Sequence, residues 1–323
     1  MYMKKLFITM MVVAGLSGVI KAQQDPSYSM YMFNGLFINP AYAGSQEVIS
    51  LMGIYRAQWV GLDGAPNTAN ISVHSPLRQD QYALGLVLSN DRLGLSNTFN
   101  VTPSFAYRLK LGGTRLSFGV QASFAYYHQN NAGAFTNTVG DQAFQTNQNL
   151  FVPNVGFGIY AYGKRYFVGV SVPHLLPSSL RDKVGVVPSQ NIAKLYNQYI
   201  FTAGYVIGKD PAIVKFRPTV LVKWQQGMPK GIPQIDISPA LLFVDRLWLG
   251  LTYRTGGDVS YVGQAIIIFA QFKITPQLQV GYAYDAEMTS LRHYNSGSHE
   301  IMIGYDFWYN KKRFVTPRYI KYF

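Results

Sequence analysis

The stretch Leu116-Ser117-Phe118-Gly119-Val120-Gln121-Ala122-Ser123-Phe124-Ala125-Tyr126-Tyr127 decides the fold. Successive side chains of an extended strand point to opposite faces. Leu116, Phe118, Val120, Ala122, Phe124 and Tyr126 therefore share one face, and Ser117, Gly119, Gln121, Ser123, Ala125 and Tyr127 share the other. The pattern recurs. Leu247, Leu249, Leu251 and Tyr253 alternate with Trp248, Gly250, Thr252 and Arg254; Leu278, Val280, Tyr282 and Tyr284 with Gln279, Gly281, Ala283 and Asp285; Ile301, Ile303, Tyr305 and Phe307 with Met302, Gly304, Asp306 and Trp308. In a soluble sheet the polar face meets water and carries Lys and Glu. Here it carries Gly, Ser, Asn and Gln, as a crowded lumen does when lipid lies outside.

Composition agrees. Only 13% of the 323 residues are charged, against about 25% in ordinary soluble domains. Aromatics reach 15%, while mean hydropathy is only +0.04. That mean excludes a bundle of membrane helices, each of which needs an apolar run of about 20 residues. Few charges, many aromatics and 30 Gly fit a transmembrane antiparallel β-barrel in the outer membrane.

The alternation marks fourteen strands, near 47–58, 67–74, 81–89, 98–108, 115–127, 153–162, 166–172, 198–207, 213–224, 234–243, 246–254, 260–272, 278–285 and 299–308. Several reach the roughly 9–11 residues that a tilted strand needs to cross a bilayer. Pro103, Pro218 and Pro239 fall inside strands, where a missing N–H predicts a bulge or a break. Connections after odd strands are long (59–66, 90–97, 128–152, 173–197, 225–233, 255–259, 286–298); those after even strands are short. Outer-membrane barrels have long extracellular loops and short periplasmic turns. The expectation is thus an even strand number with both termini periplasmic.

Around the barrel (47–308) lie three further segments. Lys4 and Lys5 precede the apolar run Leu6 to Ile20, which reads as a signal peptide cleaved after Ala22. Residues 23–46 form a polar N-terminal segment, periplasmic or plugging the lumen. Residues 309–323 form a periplasmic tail with Lys311, Lys312, Arg313, Arg318 and Lys321 and no acid, suited to a periplasmic partner or to anionic lipid head groups. The net charge of +13 is scattered and accompanies no nucleic-acid recognition motif, so no nucleic acid is expected.

Enzyme templates are missing. There is no Cys, which excludes disulfides, thiolate metal sites and Cys nucleophiles. The five His (His74, His128, His174, His293, His299) show no metal-ligand spacing, and no G-x-S-x-G, P-loop or dinucleotide fingerprint occurs. We therefore expect no enzyme activity, metal or cofactor. His299-Glu300 reads as a polar strand end at the outer rim. Arg56 and Gln58 share a strand face and line the lumen; they contact the N-terminal segment or a partner, or Arg56 forms a structural ion pair with Asp306 or Asp285.

A resemblance runs through the chain. Gln24-Asp25-Pro26, Tyr31-Met32-Phe33-Asn34 and Asn39-Pro40-Ala41-Tyr42-Ala43-Gly44-Ser45 resemble the mature N-terminus of the PorP/SprF family of type IX secretion and gliding proteins of Bacteroidetes. The match continues through Tyr55-Arg56-Ala57-Gln58-Trp59-Val60-Gly61-Leu62-Asp63-Gly64-Ala65-Pro66 and Ser72-Val73-His74-Ser75-Pro76-Leu77. It resumes at Asn90-Asp91-Arg92-Leu93-Gly94, Ile274-Thr275-Pro276-Gln277-Leu278, Gly281-Tyr282-Ala283-Tyr284-Asp285 and Ser296-Gly297-Ser298-His299-Glu300-Ile301-Met302. The resemblance implies an outer-membrane barrel without catalytic activity that supports secretion or surface attachment of an adhesin-like cargo protein alongside other secretion subunits. It carries no catalytic residue over. Asp25, Pro26, Asn39, Pro40, Tyr42, Gly44, Arg56, Gln58, Trp59, Asp63, Gly64 and Pro66 are its candidates for a structural or partner-binding role. From the residues alone, N-P-A-Y-A-G reads as a turn leading into the first strand. Two rivals remain: a passive transporter of hydrophobic small molecules, and an outer-membrane hydrolase with a Ser–His pair.

Overall fold

The computed structural model describes residues 27–307, apart from 78–79, 132–146, 177, 180–193, 196, 210–211, 226–231 and 257–262. Fourteen strands close into one antiparallel barrel: β1 (Ile49–Ala57), β2 (Asn67–Pro76), β3 (Tyr82–Leu93), β4 (Ser96–Leu111), β5 (Thr114–Gln129), β6 (Gln148–Tyr162), β7 (Tyr166–Val172), β10 (Gln198–Tyr205), β11 (Val214–Gln225), β12 (Gln234–Phe243), β13 (Leu247–Thr255), β14 (Ala265–Lys273), β15 (Leu278–Glu287) and β16 (Ser298–Phe307). Between β7 and β10, β8 (Ser178–Ser179) and β9 (Lys194–Leu195) pair only with each other. The seam is the β1–β16 ladder, from Ile49 opposite Phe307 to Ala57 opposite His299. Closure matters because hydrocarbon cannot satisfy an open strand edge.

Each span read from the alternation is a barrel strand. The prolines do not bulge the sheet. Pairing lapses at Pro103 on the β5 side, yet Val101 opposite Phe124 and Ser104 opposite Gln121 keep one register. Around Pro239, Ile237 opposite Tyr253 and Ala240 opposite Gly250 do the same. A strand residue directs its N–H to one neighbour only, so each proline costs one ladder bond on one side.

Burial is inverted relative to a soluble protein. Outward-facing Ile71, Val120, Ile268 and Ile301 are all more than half exposed. Inward-facing Ser72, Asn154, Thr219, Thr252 and Gln271 are buried. Apolar side chains standing outward in this number need an apolar solvent, so the barrel lies in a membrane.

At one rim the connections are short: 77–81, 112–113, 163–165, 206–213, 244–246 and 274–277. Val244 and Asp245 both have positive φ (49° and 56°) in the last but one of these turns, closed by Arg246 N donating to Phe243 O at 3.0 Å. The opposite rim carries 58–66, 130–147, 173–197, 226–233, 256–264 and 288–297. One expected long loop fails: 90–97 is the two-residue turn Gly94-Leu95, because β3 and β4 stay paired up to Leu93 opposite Ser96 and Gly94 adopts φ +55°.

Residues 27–45 lie inside the barrel as short 3-10 turns at Tyr31–Phe33, Gly35–Phe37 and Pro40–Tyr42. Ser27 Oγ meets Gln234, the first residue of β12, at 3.3 Å at the long-connection rim. Gly44, at the other end, meets His74 and Arg108 near the short-turn rim. The segment thus crosses the lumen before the chain enters β1. Ser27 and Phe307, the first and last described residues, stand at opposite rims; the termini themselves lie outside the described residues.

Candidate functional site

The lumen site is built by docking residues 27–45 on the inner wall. Asn39 caps the turn Pro40–Tyr42: its Oδ1 accepts from Ala41 N at 2.9 Å. Its Nδ2 donates to the carbonyls of Ile159 (3.0 Å) and Val170 (3.3 Å), which face each other across β6 and β7. The wall below is glycine. A Cβ on Gly119 would stand 2.2 Å from Ala41 N, and one on Gly158, its cross-strand partner, 2.1 Å from Asn39 Oδ1. Only a wall without side chains admits this close approach. What reads locally as a leading turn is a capped turn seated on a glycine track.

Neighbouring contacts fix the two ends of the turn. Asn34 Oδ1 accepts from Leu36 N at 3.1 Å, and its Nδ2 donates to Ser72 Oγ. Gly44 turns the chain at φ +72°; its N donates to His74 Nδ1 at 3.2 Å and its carbonyl accepts from Arg108 Nη1. Tyr42 lies edge-on to His74 and Tyr160, and its hydroxyl accepts from Gln46 Nε2 at 2.8 Å. Phe33 packs edge-on to Phe269, and the buried Arg217 guanidinium sits 3.9 Å over the Trp248 ring and 5.0 Å over Phe33.

Near the long-connection rim lies a buried charge cluster. Arg56 Nη2 stands 2.6 Å from Asp285 Oδ2 and Nη1 3.3 Å from Glu300 Oε2. Arg254 grips Asp236 through Nε and Nη2 at 2.8–3.1 Å. Glu300 takes the backbone N–H groups of Ser29 (2.8 Å) and Met30 (2.7 Å), Asp285 accepts from Ser29 Oγ (2.7 Å), and Arg254 Nη2 donates to Tyr28 O (3.3 Å). Three carboxyl groups against two guanidiniums are thus completed by groups of the N-terminal segment. Buried ions need such full pairing. Of the alternatives for Arg56, the structure supplies both the contact with that segment, through Arg56 Nη1 to Ser29 Oγ at 2.7 Å, and the Asp285 ion pair.

Glu300 corrects the reading of a polar strand end: it is fully buried, while its neighbour His299 faces outward and meets Tyr282 Oη at 2.6 Å. Ser298 faces inward and accepts from Trp59 N at 3.1 Å, so Ser298 and His299 point to opposite faces. Asp236, Arg254 and Glu300 were not singled out as site residues in the sequence. The signal for them was present, as charges on the inward phase of strands.

The block 55–66 forms the rim above the seam. Gln58 N donates to Pro66 O at 3.0 Å, closing the loop. Trp59, at φ +49°, donates its indole N–H to Glu287 at 2.8 Å. Gly64 O accepts from Gly94 N, and Val60 exchanges bonds with Ser296 and Gly297. Asp63 is exposed. Asp25 and Pro26, and the tail with Lys311, Lys312, Arg313, Arg318 and Lys321, lie outside the described residues. Among the described residues no cluster of three metal-ligating side chains forms.

The family model for the type IX secretion system membrane protein PorP/SprF matches residues 20–305. Comparison with curated proteins gives no match. Solved structures with similar barrels include Omp33 of Acinetobacter baumannii (11% identity, 81% of this chain and 98% of that chain, TM-score 0.44). They also include the CymD monoaromatic hydrocarbon channel (12%, 92% and 97%, 0.48) and the outer membrane phospholipase A of Escherichia coli (9%, 83% and 97%, 0.35). Likenesses this distant carry no argument about activity.

Proposed function

The chain belongs to the PorP/SprF family of type IX secretion system membrane proteins, and from that premise we propose that it acts as a non-enzymatic adaptor, holding an exported adhesin-like protein at the cell surface. Family membership makes it an outer-membrane component of that secretion system. The finer reading rests on how the barrel is filled. Residues 27–45 occupy the lumen and are tied to both rims, which supports an anchor over a passive transporter. In this reading the long-connection rim faces outward, as in other outer-membrane barrels. The end of β16 and the basic tail then face the periplasm, where the tail meets secretion subunits or lipid. Cargo binds at the outer rim through its C-terminal region.

The test is crosslinking in cells, then affinity purification of the tagged barrel from mildly solubilised outer membranes and mass spectrometry of its partners. A large exported protein together with secretion subunits is the expected result. A barrel that brings only lipid or a small hydrophobic ligand would move the function to transport.

A further inference from the structure

The wall is not equally tall all round. β6 pairs with β5 along its whole length, from Gln129 opposite Gln148 to Arg115 opposite Tyr162. On its other side it pairs with β7 only from Phe157 to Tyr162. Among the described residues no strand covers Gln148–Gly156 on that side. Residues 173–176 occupy Asn154–Gly156, so the uncovered part is Gln148–Pro153, about 20 Å at about 3.3 Å per residue. The chain leaving β7 does not continue the ladder but crosses the inner face: Pro173 O lies over Gly156 and accepts from Gln121 Nε2, and Asn154 holds Leu176 through both amide atoms. Among the described residues, the one backbone bond that reaches the edge is Leu175 N to Val155 O, at 2.8 Å.

That bond sets the phase. Alternate residues of a strand direct both N–H and C=O to the same neighbour. Val155 faces the open side, so Asn149, Phe151 and Pro153 do too, at an unbroken register with β5. The edge thus offers the N–H and C=O of Asn149 and Phe151 and the C=O of Pro153. Its outer face is aromatic. Phe99, Tyr126 and Phe151 form one cross-strand row, Phe124 stacks on Phe151 at 6.2 Å, and all four are at least 40% exposed.

We propose that the Gln148–Pro153 edge of β6 is a strand-addition site, filled by an extended segment of the exported protein whose outward alternate residues are apolar. This rests on the adaptor reading above and gives it an address. An open edge is not tolerated in hydrocarbon, and the nine residues Asn154–Tyr162 are the length that a tilted strand needs to cross it, so Gln148–Pro153 stands beyond the bilayer. The chain's own β8 and β9 are paired with each other. A second copy fits badly: antiparallel self-pairing about Phe151 sets Pro153 opposite Asn149 twice, each time without an N–H. A separate strand that adds its backbone to the edge and its side chains to the aromatic row satisfies both features.

The experiment places a photo-crosslinking amino acid singly at 149, 151 and 153 in the full-length barrel in cells, with Asp63 and Ile301 as loop and lipid-face controls. The expected result is adducts from 149, 151 and 153 to one exported protein, at residues two apart within one segment. Phe151→Pro removes an edge donor but no β5 bond, and lowers the adduct yield from 149 by about tenfold, whereas Phe151→Thr, which keeps the N–H, changes it far less. Adducts to the exported protein from 63 but not from the edge positions would overturn the edge and leave the adaptor standing. No exported protein at any position, with the barrel present in the membrane, would overturn both. Crosslinks joining 151 to 151 would replace the cargo strand with a second copy.

Discussion

Arg56 and Asp285 lie 229 residues apart in the chain, yet Arg56 Nη2 stands 2.6 Å from Asp285 Oδ2, both side chains at most 3% exposed. Arg56→Met leaves Asp285 and Glu300 buried without the guanidinium that pairs both. It should lower stability by about 3 kcal/mol, read as a lower urea midpoint for loss of heat-resistant migration of the barrel. A triple Arg56→Met, Asp285→Leu, Glu300→Gln variant should recover part of that loss, because it removes both uncompensated charges while Gln still accepts from Ser29 and Met30. If Arg56→Met unfolds at the parent's midpoint, the cluster is not holding the seam region together.

Gly119 and Gly113 make a matched contrast. A Cβ at 119 meets Ala41 N at 2.2 Å, while one at 113 meets nothing within 4 Å. Gly119→Ala should displace the Asn39-capped turn and cost about 1–3 kcal/mol; Gly113→Ala should be neutral. Protease cleavage within residues 27–45 of the folded barrel measures the displacement. Equal resistance in both variants would mean that the glycine track does not seat the turn.

Planar-bilayer recording checks what residues 27–45 block. The intact protein should show no steady conductance, and a variant lacking 27–38 should conduct, since the inner wall behind it is polar. Steady conductance by the intact chain would return the transporter reading to favour.

Val244 holds φ +49° with its side chain 66% exposed, so it buries little in exchange for a strained backbone. Val244→Asn fits the left-handed turn and should raise stability by about 1 kcal/mol. An unchanged or lower unfolding midpoint would show that the turn is not strained.

The parent has no Cys, so single cysteines report sidedness cleanly. Asp63→Cys should react with a membrane-impermeant maleimide in intact cells, and Gly113→Cys only after the outer membrane is opened. The reverse pattern would invert the barrel.

The fourteen strands were legible because each crosses two solvents at once, and a period of two records that boundary residue by residue. Loop lengths were legible except at Gly94-Leu95, where polar Asn90-Asp91-Arg92 reads as loop but stays in the β3–β4 ladder. Glu300 was misplaced for a different reason. Its depth depends on the stagger between strands and on a partner, Met30, that lies 270 residues away, and neither leaves a local trace. The same holds for the direction in which residues 27–45 run. Asn39 and Gly44 were visible as turn formers; that they form their turn against Gly119 and Ala83 is a property of the closed barrel.

The threading of residues 27–45 has a consequence for biogenesis. The part of the chain synthesised first finds its carboxylate acceptors on β15 and β16, the strands synthesised last. Contacts of such sequence separation form slowly, and Glu300, though paired with Arg56 across the seam, lacks two of its hydrogen-bond donors until Ser29 and Met30 arrive. A barrel that zips β1 to β16 around an empty lumen is therefore an incomplete product. Its closing strand has its full set of hydrogen bonds only when the leading segment lies inside.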